Sequence, residues 1–484
     1  MPRIVWIALV AAACGSSNAP PPGGRPVADP AHTLAVHVDG GLIAGVVEDD
    51  VVYFKGIPYA APPVGDLRWR APQPVPPWPS IRTAQRYGND CVQSSIPGDV
   101  GSSSGKQSED CLYLNVWAPH DDSPTRRYPV LVWFHGGGYL NGSAAVPFFD
   151  GSQFARDGII VVTANYRLGR MGFFAHPALT AEGETPTGNY ALLDQLAVLK
   201  WVRKNIGAVG GDPAQVTVSG QAAGGMSVIH LMSWPAAHGL FQRAVILSGG
   251  GRTCIAEQRD LRKPRGTLAS AEQSGVDFAR GAGVHGSSAD ALARLRTLDA
   301  RKVNGSLNIS ALRTKPKNYV GGPIIDGVII NDQPQTYLRN GHVARVPVII
   351  GTTGADIPAW YRENKQQPYA GFGERERRAR DLYEAREFMS RERVASVVSA
   401  DMNMHEPARF FARQMTAHGV RVWLYRFDYV AQSERPQDKH APHGSELPFL
   451  FNQLDARYGR KTTDQDRASA RAFHGYVASF VKAG

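Results

Sequence analysis

Cysteine is scarce in this chain of 484 residues, which has four, at positions 14, 91, 111 and 254. No two of them form a Cys-x-x-Cys pair and no His-Glu-x-x-His string occurs, so zinc-site, metalloprotease and dithiol-redox motifs are missing. The chain also lacks a phosphate-binding loop, and it lacks a dinucleotide-binding fingerprint in its strand-to-helix context. We therefore predict neither a metal ion nor a cofactor.

An apolar run long enough to span a bilayer is missing from the start of the chain, because the apolar segment covers only residues 4–13. It ends in Ala-Ala-Ala-Cys at residues 11–14 and is similar to a bacterial lipoprotein signal. We expect a signal peptide over residues 1–13 and lipid attachment at Cys14, with a plain secretory signal as the alternative. Residues 14–33, rich in proline and glycine, predict a tether. The protein is thus expected to be exported, either membrane-anchored or periplasmic or secreted.

Acidic residues are outnumbered: 53 Lys and Arg against 43 Asp and Glu give a net charge of +10. Such a surplus suits an anionic surface or an acidic ligand, and we predict no nucleic-acid partner. Between residues 374 and 393 the charges alternate in sign, with pairs such as Glu376/Arg380 and Glu387/Arg391 at i,i+4 spacing. This pattern is typical of a solvated helix.

The distribution of apolar residues predicts an α/β fold with a large core. Residues 34–54 contain short β runs separated by turn signals, which favours an antiparallel edge. Residues 192–206 carry an apolar stripe at helical spacing. The candidate strands of the parallel core are residues 130–134, 159–165, 216–219, 244–247, 346–350 and 422–427. We expect one domain over residues 34–484, a mostly parallel wound sheet with helical insertions.

A serine is missing where its surroundings predict one. Residues 216–225 indicate a strand, a sharp turn flanked by small residues and a helix, which is the layout of a Gly-x-Ser-x-Gly nucleophile elbow. An ordinary strand-to-helix connection is the alternative. The residue at the apex of this turn is Ala222. Ser219 on the strand and Ser227 in the helix are not expected to reach its position.

A glycine string follows another candidate strand. The apolar run at residues 128–134 ends in His-Gly-Gly-Gly at residues 135–138. Such a loop lets bare backbone amides point at a developing oxyanion, because no side chain blocks the approach. The alternative is a flexible turn after a buried strand.

Together these strings resemble the type-B carboxylesterase family, α/β-hydrolases that include cholinesterases, bacterial p-nitrobenzyl-type esterases and the catalytically silent neuroligins. Further matching strings occur in the family's order at residues 54–60, 62–65, 108–116, 165–167, 188–189, 194–195, 210–213 and 241–249. The resemblance implies an α/β-hydrolase fold and hydrolysis of small-molecule carboxylic esters through an acyl-enzyme.

The resemblance also implies the partners of the missing serine. Members place the catalytic acid after a strand that ends in a Gly-Thr turn, and here residues 346–353 lead to Asp356, where the family usually has Glu. The alternative for Asp356 is a helix N-cap or a turn residue. The base is His443, which opens the His-Gly-Ser-Glu string at residues 443–446; His440 is the competing histidine. The amides expected in the oxyanion hole are those of Gly137, Gly138 and Ala223.

Aromatic residues that flank these motifs are candidates for an acyl pocket, with simple packing as the alternative. They are Tyr139, Phe173, Phe174 and Trp360. Cys91 and Cys111 match the family's first disulfide, which leaves Cys254 unpaired if Cys14 carries lipid. Family members usually continue beyond the position of Gly484, so a truncated or a divergent form is expected.

With Ala222 in place of serine, we expect a scaffold that binds esters and turns them over poorly or not at all. The alternative is a non-catalytic, cholinesterase-like binding or adhesion protein. A deliberate substitution, a natural loss and a sequence error all remain open as origins of Ala222.

Overall fold

The computed structural model describes residues 33–94, 105–121, 123, 125–183, 188–252, 258–314, 316–357, 367–384 and 390–484. The signal peptide and most of the tether predicted from the sequence lie outside these ranges. Four residues named above also lie outside them: Cys14, Cys254, Trp360 and Glu387.

Thirteen strands occur in the described residues. In chain order they are β1 (Thr33–Val38), β2 (Gly41–Glu48), β3 (Val51–Pro58), β4 (Arg82–Thr83), β5 (Asp90–Cys91), β6 (Gln107–Ser108), β7 (Tyr113–Pro119), β8 (Tyr128–Phe134), β9 (Ile160–Ala164), β10 (Gly211–Gln221), β11 (Arg243–Leu247), β12 (Val348–Thr353) and β13 (Val422–Phe427). Eleven of them form one sheet in the order β1-β2-β3-β7-β9-β8-β10-β11-β12-β13, with β4 beside β2, while β5 pairs with β6.

The pairing of the strands changes from antiparallel to parallel at β9. In the order given, neighbouring strands from β1 to β9 run antiparallel, and only β4, at the side, pairs with β2 in parallel. All pairs from β9 to β13 run parallel. The predicted α/β class, with its antiparallel edge and mostly parallel core, is confirmed. Parallel strands are covered on both faces, so their sequences are continuous apolar runs. Strand β9 is an example, because all of its residues are buried.

Sixteen α-helices are described, and they connect and cover the strands. They are α1 (Ser152–Arg156), α2 (Gly169–Gly172), α3 (Pro177–Ala181), α4 (Tyr190–Asn205), α5 (Ala223–Ser233), α6 (Ala271–Gly281), α7 (Ala289–Arg296), α8 (Ala300–Asn304), α9 (Ala311–Thr314), α10 (Pro334–Arg339), α11 (Glu376–Glu384), α12 (Arg391–Ala400), α13 (Glu406–Ala417), α14 (Leu447–Leu450), α15 (Leu454–Tyr458) and α16 (Asp464–Ala483). None of these described helices combines the length and the apolar character that a membrane crossing requires.

The core lies on both faces of the sheet, as the alternation along β8 illustrates. Val130, Val132 and Phe134 join the larger apolar cluster on one face. Leu131 and Trp133 point the other way, into a second cluster that includes residues of α14 and α16. This period of two is the pattern expected of a strand covered on both sides.

The charged segment departs from the single helix that the sequence predicts. Helix α11 ends at Glu384 and α12 begins at Arg391. Ser390 has extended backbone angles and accepts a hydrogen bond from the amide of Arg393, so it caps the start of a new helix. Within α11 the predicted ion pair between Glu376 and Arg380 is formed, at 3.1 Å.

Candidate active site

Ala222 forms the turn between β10 and α5. Its φ of 51° and ψ of −119° lie in a region that alanine rarely adopts. Two backbone hydrogen bonds hold it: its amide donates to the Leu247 carbonyl at 2.9 Å, and its carbonyl accepts from the Met226 amide at 2.8 Å. Such backbone strain costs roughly 1–3 kcal/mol and persists only where the surrounding structure enforces it. The chain therefore retains the strained turn without the hydroxyl.

Close approach of strand and helix explains the small residues around this turn. A Cβ added to Gly224 would lie 2.0 Å from the Phe134 carbonyl oxygen, and one added to Gly220 would lie 2.5 Å from the Gly224 carbonyl carbon. Both contacts are with backbone, which cannot rotate away. The start of α5 is thus packed directly against the end of β8.

The His-Gly-Gly-Gly loop lies beside Ala222. A Cβ added to Gly136 would lie 3.1 Å from the Cβ of Ala222. Gly137 and Gly138 have φ values of 102° and 62°, which favour glycine. Within the described part of the chain, the amides of Gly137, Gly138 and Ala223 donate no hydrogen bond. Three donors next to the turn are thereby left available to an incoming oxyanion.

His135 supports this loop through packing. Its Nδ1 donates to the Gly136 carbonyl at 2.8 Å, and its ring stacks on Tyr166 with centroids 4.4 Å apart. The Tyr166 hydroxyl in turn donates to the His135 carbonyl at 2.6 Å. Burial lowers the pKa of His135 to about 4, so the ring is neutral at physiological pH. These contacts make His135 a support of the glycine loop.

Asp356 and His443 are in contact, and the carboxylate is buried. Nδ1 of His443 donates to Oδ1 of Asp356, while Oδ2 accepts from the Ser248 hydroxyl at 2.6 Å and from the Thr353 amide at 3.0 Å. Burial would raise the pKa of Asp356, but the charge and hydrogen bond of His443, with the two other donors, lower it below its usual value. Asp356 is therefore an ionised acceptor.

The same contact defines the state of His443. Burial would lower the pKa of His443, but the charge and hydrogen bond of Asp356, with a smaller contribution from Glu446, raise it above its usual value. Since an ionised carboxylate can only accept, Nδ1 carries the proton and Nε2 of the neutral ring is an acceptor. The competing histidine, His440, faces another carboxylate, with its Nδ1 3.5 Å from Asp428.

Three polar neighbours of this pair were not nominated from the sequence. The side-chain amide of Gln221 lies 3.1 Å from Nε2 of His443 and donates to it. Glu446 is fully buried, and its pKa rises to about 7 because of burial and the charge of Asp356. Ser248 directly follows β11. Strands β11 and β12 are parallel neighbours, so their carboxyl ends lie at the same edge of the sheet. This adjacency is the signal by which Ser248 could have been found.

Two of the aromatic pocket candidates are core residues, which corrects the expectation from the sequence. Phe173 and Phe174 are 0% and 2% exposed, so they have almost no surface to offer a substrate. Phe174 stacks on Trp69 with centroids 4.4 Å apart. Tyr139 is 6% exposed, and its hydroxyl accepts a hydrogen bond from Ser227 at 3.2 Å. Trp360, the fourth candidate, is outside the described residues.

Two aliphatic side chains that the sequence did not nominate approach the glycine loop. A Cβ added to Gly138 would lie 2.6 Å from Cδ1 of Leu312 and 2.7 Å from Cδ1 of Ile309. An apolar wall therefore stands next to the free amides. The sequence motifs do not indicate this wall, because residues 309–312 are remote in sequence from every motif and approach the loop only in the folded chain.

Cys91 and Cys111 form a disulfide bond. The adjacent Gln93 accepts from the Gly142 amide at 2.9 Å and donates to the Gly142 carbonyl at 2.8 Å. Ser143 donates to Asp90, the residue before the disulfide. The cross-linked segment is thereby fastened to the chain that follows the glycine loop.

A parallel sheet with a strained turn after β10, a buried acid after β12 and a histidine further along the chain has the organisation of an α/β-hydrolase. The sequence model of the Carboxylesterase family matches residues 32–386 and 362–484, and the chain belongs to this family. The fold and the relatives below agree with that assignment.

Two of the curated relatives that the chain resembles are named as esterases. The chain is 35% identical over 462 residues to the para-nitrobenzyl esterase of Bacillus subtilis (strain 168), covering 92% of this chain and 88% of that protein. It is 34% identical over 431 residues to the fumonisin B1 esterase of Sphingopyxis macrogoltabida, covering 87% and 75%. A solved structure of PNB esterase superposes with a TM-score of 0.77 at 34% identity, covering 93% of this chain and 90% of that one.

Proposed function

We propose that this chain binds carboxylic esters at a site equipped for acyl transfer except for the nucleophilic oxygen that Ala222 lacks. The observation that supports this most strongly is the Asp356–His443 pair, which leaves Nε2 of the histidine as an acceptor. Gln221, the residue before Ala222, contacts that nitrogen at 3.1 Å, so the base and the turn adjoin each other.

The chemistry proposed for a protein with serine at this position has two steps. The serine oxygen bonds to the ester carbonyl carbon while Nε2 of His443 takes its proton, and Asp356 stabilises the imidazolium without being protonated. The amides of Gly137, Gly138 and Ala223 bind the oxyanion. The alcohol then leaves with the proton from His443. Water then gives a proton to His443 and bonds to the acyl carbon. The bond from that carbon to the serine oxygen breaks, the serine oxygen takes the proton back from His443, and the acid is released.

With Ala222 no bond between enzyme and acyl group can form. His443 can still activate water toward a bound ester through Nε2, once water displaces the Gln221 amide that contacts this nitrogen at 3.1 Å. Loss of the nucleophile in another serine hydrolase lowers kcat by about 10⁶ and leaves roughly 10³ to 10⁴ over the uncatalysed rate. We therefore propose ester binding with very slow turnover.

Hydrolysis of p-nitrophenyl acetate by the unmodified chain and by the serine-restored protein (Ala222→Ser) tests this proposal. We expect kcat/KM to rise by about 10⁴ or more in the serine-restored protein, because the oxyanion donors and base are already in position. Adding His443→Ala should abolish the gain. Adding His440→Ala is the matched control and should leave it intact, because His440 faces Asp428.

The rival function is a non-catalytic binding or adhesion protein of the same family. It predicts that Ala222→Ser, although folded with a normal unfolding transition, gains no activity. That result would remove the esterase proposal for this chain and direct the work to protein partners.

We also propose that the protein is exported and lipid-anchored through Cys14. The apolar segment at residues 4–13 and the Ala-Ala-Ala-Cys string support this proposal. The disulfide between Cys91 and Cys111 suits an oxidising compartment. Labelling of bacteria with a radioactive fatty acid should mark the unmodified protein and not Cys14→Ser. Equal labelling of both proteins, or none of either, would contradict lipid attachment at Cys14.

A further inference from the structure

A cavity of about 280 Å³ lies beside the loop that carries Asp356. Gly354 and Ala355, which directly precede Asp356, form part of its wall. Neither Ala222 nor His443 is among the described residues that line it. We call it the basic cavity because five cationic or basic side chains line it: Arg393, Arg409, Arg426, His405 and His440.

The acidic groups at the basic cavity already have partners. Asp401, which lines it, accepts from Nδ1 of His405 and from the Tyr383 hydroxyl, both at 2.8 Å. Asp428 adjoins it and lies 3.6 Å from Arg426 and 3.5 Å from His440. The carboxylates of Asp401 and Asp428 are therefore already paired with neighbouring side chains.

Two arginines of the basic cavity have donors to spare. Among the described residues, the guanidinium groups of Arg393 and Arg409 make no hydrogen bond and no ion pair. Arg409 acts on Asp401 only through its charge, which helps to lower the pKa of that carboxyl. Arg393 extends from α12 and Arg409 from α13, so they reach the cavity from different elements.

We propose that the basic cavity binds a small, multiply charged oxyanion, such as inorganic phosphate or a polycarboxylate. The planar fork of a guanidinium matches the oxygens of phosphate and carboxylate groups, and two uncommitted forks on separate helices offer convergent donors. The volume lies just below the roughly 300–1,000 Å³ of pockets for drug-sized ligands, which suits a small ion. This site is separate from the ester chemistry proposed above.

The wall of the basic cavity also holds the acid loop. Arg426 donates to the Gly354 carbonyl at 3.2 Å, and Nε2 of His405 donates to the Thr353 carbonyl at 2.9 Å. Both donors are basic groups of the cavity, and both carbonyls belong to the three residues before Asp356. We therefore leave Arg426 and His405 unchanged in the test and substitute only Arg393 and Arg409.

Isothermal titration of the unmodified protein with inorganic phosphate and, separately, with citrate at constant ionic strength tests the inference. It needs no esterase activity, so its failure and that of the proposed function are distinguishable. We expect saturable binding of at least one anion at millimolar concentration or below. Arg393→Gln and Arg409→Gln should each weaken it by about tenfold or more, as loss of a charge-assisted hydrogen bond predicts.

Arg391→Gln is the matched control, because this exposed arginine begins the same helix and does not line the basic cavity. It removes the same charge and should change the affinity by less than about twofold. Tighter binding of phosphate or of citrate identifies which oxyanion the site prefers. Absence of saturable binding of both anions, or an equal loss in Arg391→Gln, would overturn the proposal. Thermal unfolding of each variant checks that the fold is retained.

Discussion

Glu446→Gln should stabilise the protein at alkaline pH far more than at acidic pH. Glu446 is fully buried next to the Asp356–His443 pair. Burial and the charge of Asp356 raise its pKa to about 7, although His443 and the nearby amides of Gly444 and Glu446 act in the opposite direction. Glutamine has nearly the shape of the protonated acid and cannot ionise.

The magnitude follows from proton linkage. Below a pH of 4.5, the usual pKa of glutamic acid, the carboxyl is protonated in both the folded and the unfolded chain. As the pH rises from there to about 7, the unfolded chain releases the proton while the folded chain retains it, so stability falls. The gap between the two pKa values corresponds to a loss of about 3 kcal/mol, complete above the folded value. Glu446→Gln removes that loss.

Urea unfolding followed by tryptophan fluorescence measures the effect. The difference in unfolding free energy between Glu446→Gln and the unmodified protein should be larger by about 3 kcal/mol at about pH 8 than at about pH 4.5. Glu374→Gln, at an exposed glutamate, is the matched control and should show no such pH dependence. A difference for Glu446→Gln that is constant across this range would refute the reasoning.

Three further predictions concern the same site. Ser248→Ala removes a buried 2.6 Å hydrogen bond to the Asp356 carboxylate, so urea unfolding should show a loss of about 1.5–3 kcal/mol; an unchanged midpoint would contradict this. Gly224→Ala would place a Cβ 2.0 Å from the Phe134 carbonyl oxygen and should destabilise by about 1–3 kcal/mol or more, whereas Gly475→Ala, with open space around it, should not. In the serine-restored protein, kcat/KM should rise with pH as His443 loses its proton, with a midpoint above 6.5; a midpoint below that value would oppose the inferred ion pair.

Much of the sheet was predictable because a strand that is buried on both faces has a continuous run of apolar residues in the sequence. The last strand, β13, has the bounds that the sequence predicts although only Phe427 in it is buried, and the antiparallel edge follows turn signals that the structure contains. Strand β10 begins five residues before the predicted start at Val216, and its pairing with β8 shifts register there. Apolar patterning alone could not indicate those extra residues, since Pro213 and Gln215 interrupt it.

The acid and base were nominated from short strings, and the structure brings Asp356 and His443 together. Their supporting groups were harder to find, because the roles of Ser248 and Gln221 depend on which strand ends lie side by side. Proximity to a motif misled the assignment of Phe173, since position in sequence does not tell whether a ring faces a cleft or the core. In the charged segment, Ser390 is extended and caps the start of α12, a local feature that the spacing of charges does not indicate.

Intact-mass analysis after rapid acid quench tests most directly whether Ala222 is the one missing part of an acyl-transfer site. The serine-restored protein, mixed briefly with a p-nitrophenyl ester, should gain the mass of one acyl group, and digestion of the quenched protein should locate it on the peptide that contains position 222. The unmodified chain should gain none. A folded Ala222→Ser protein that releases no p-nitrophenol burst and gains no acyl mass would contradict the proposed function.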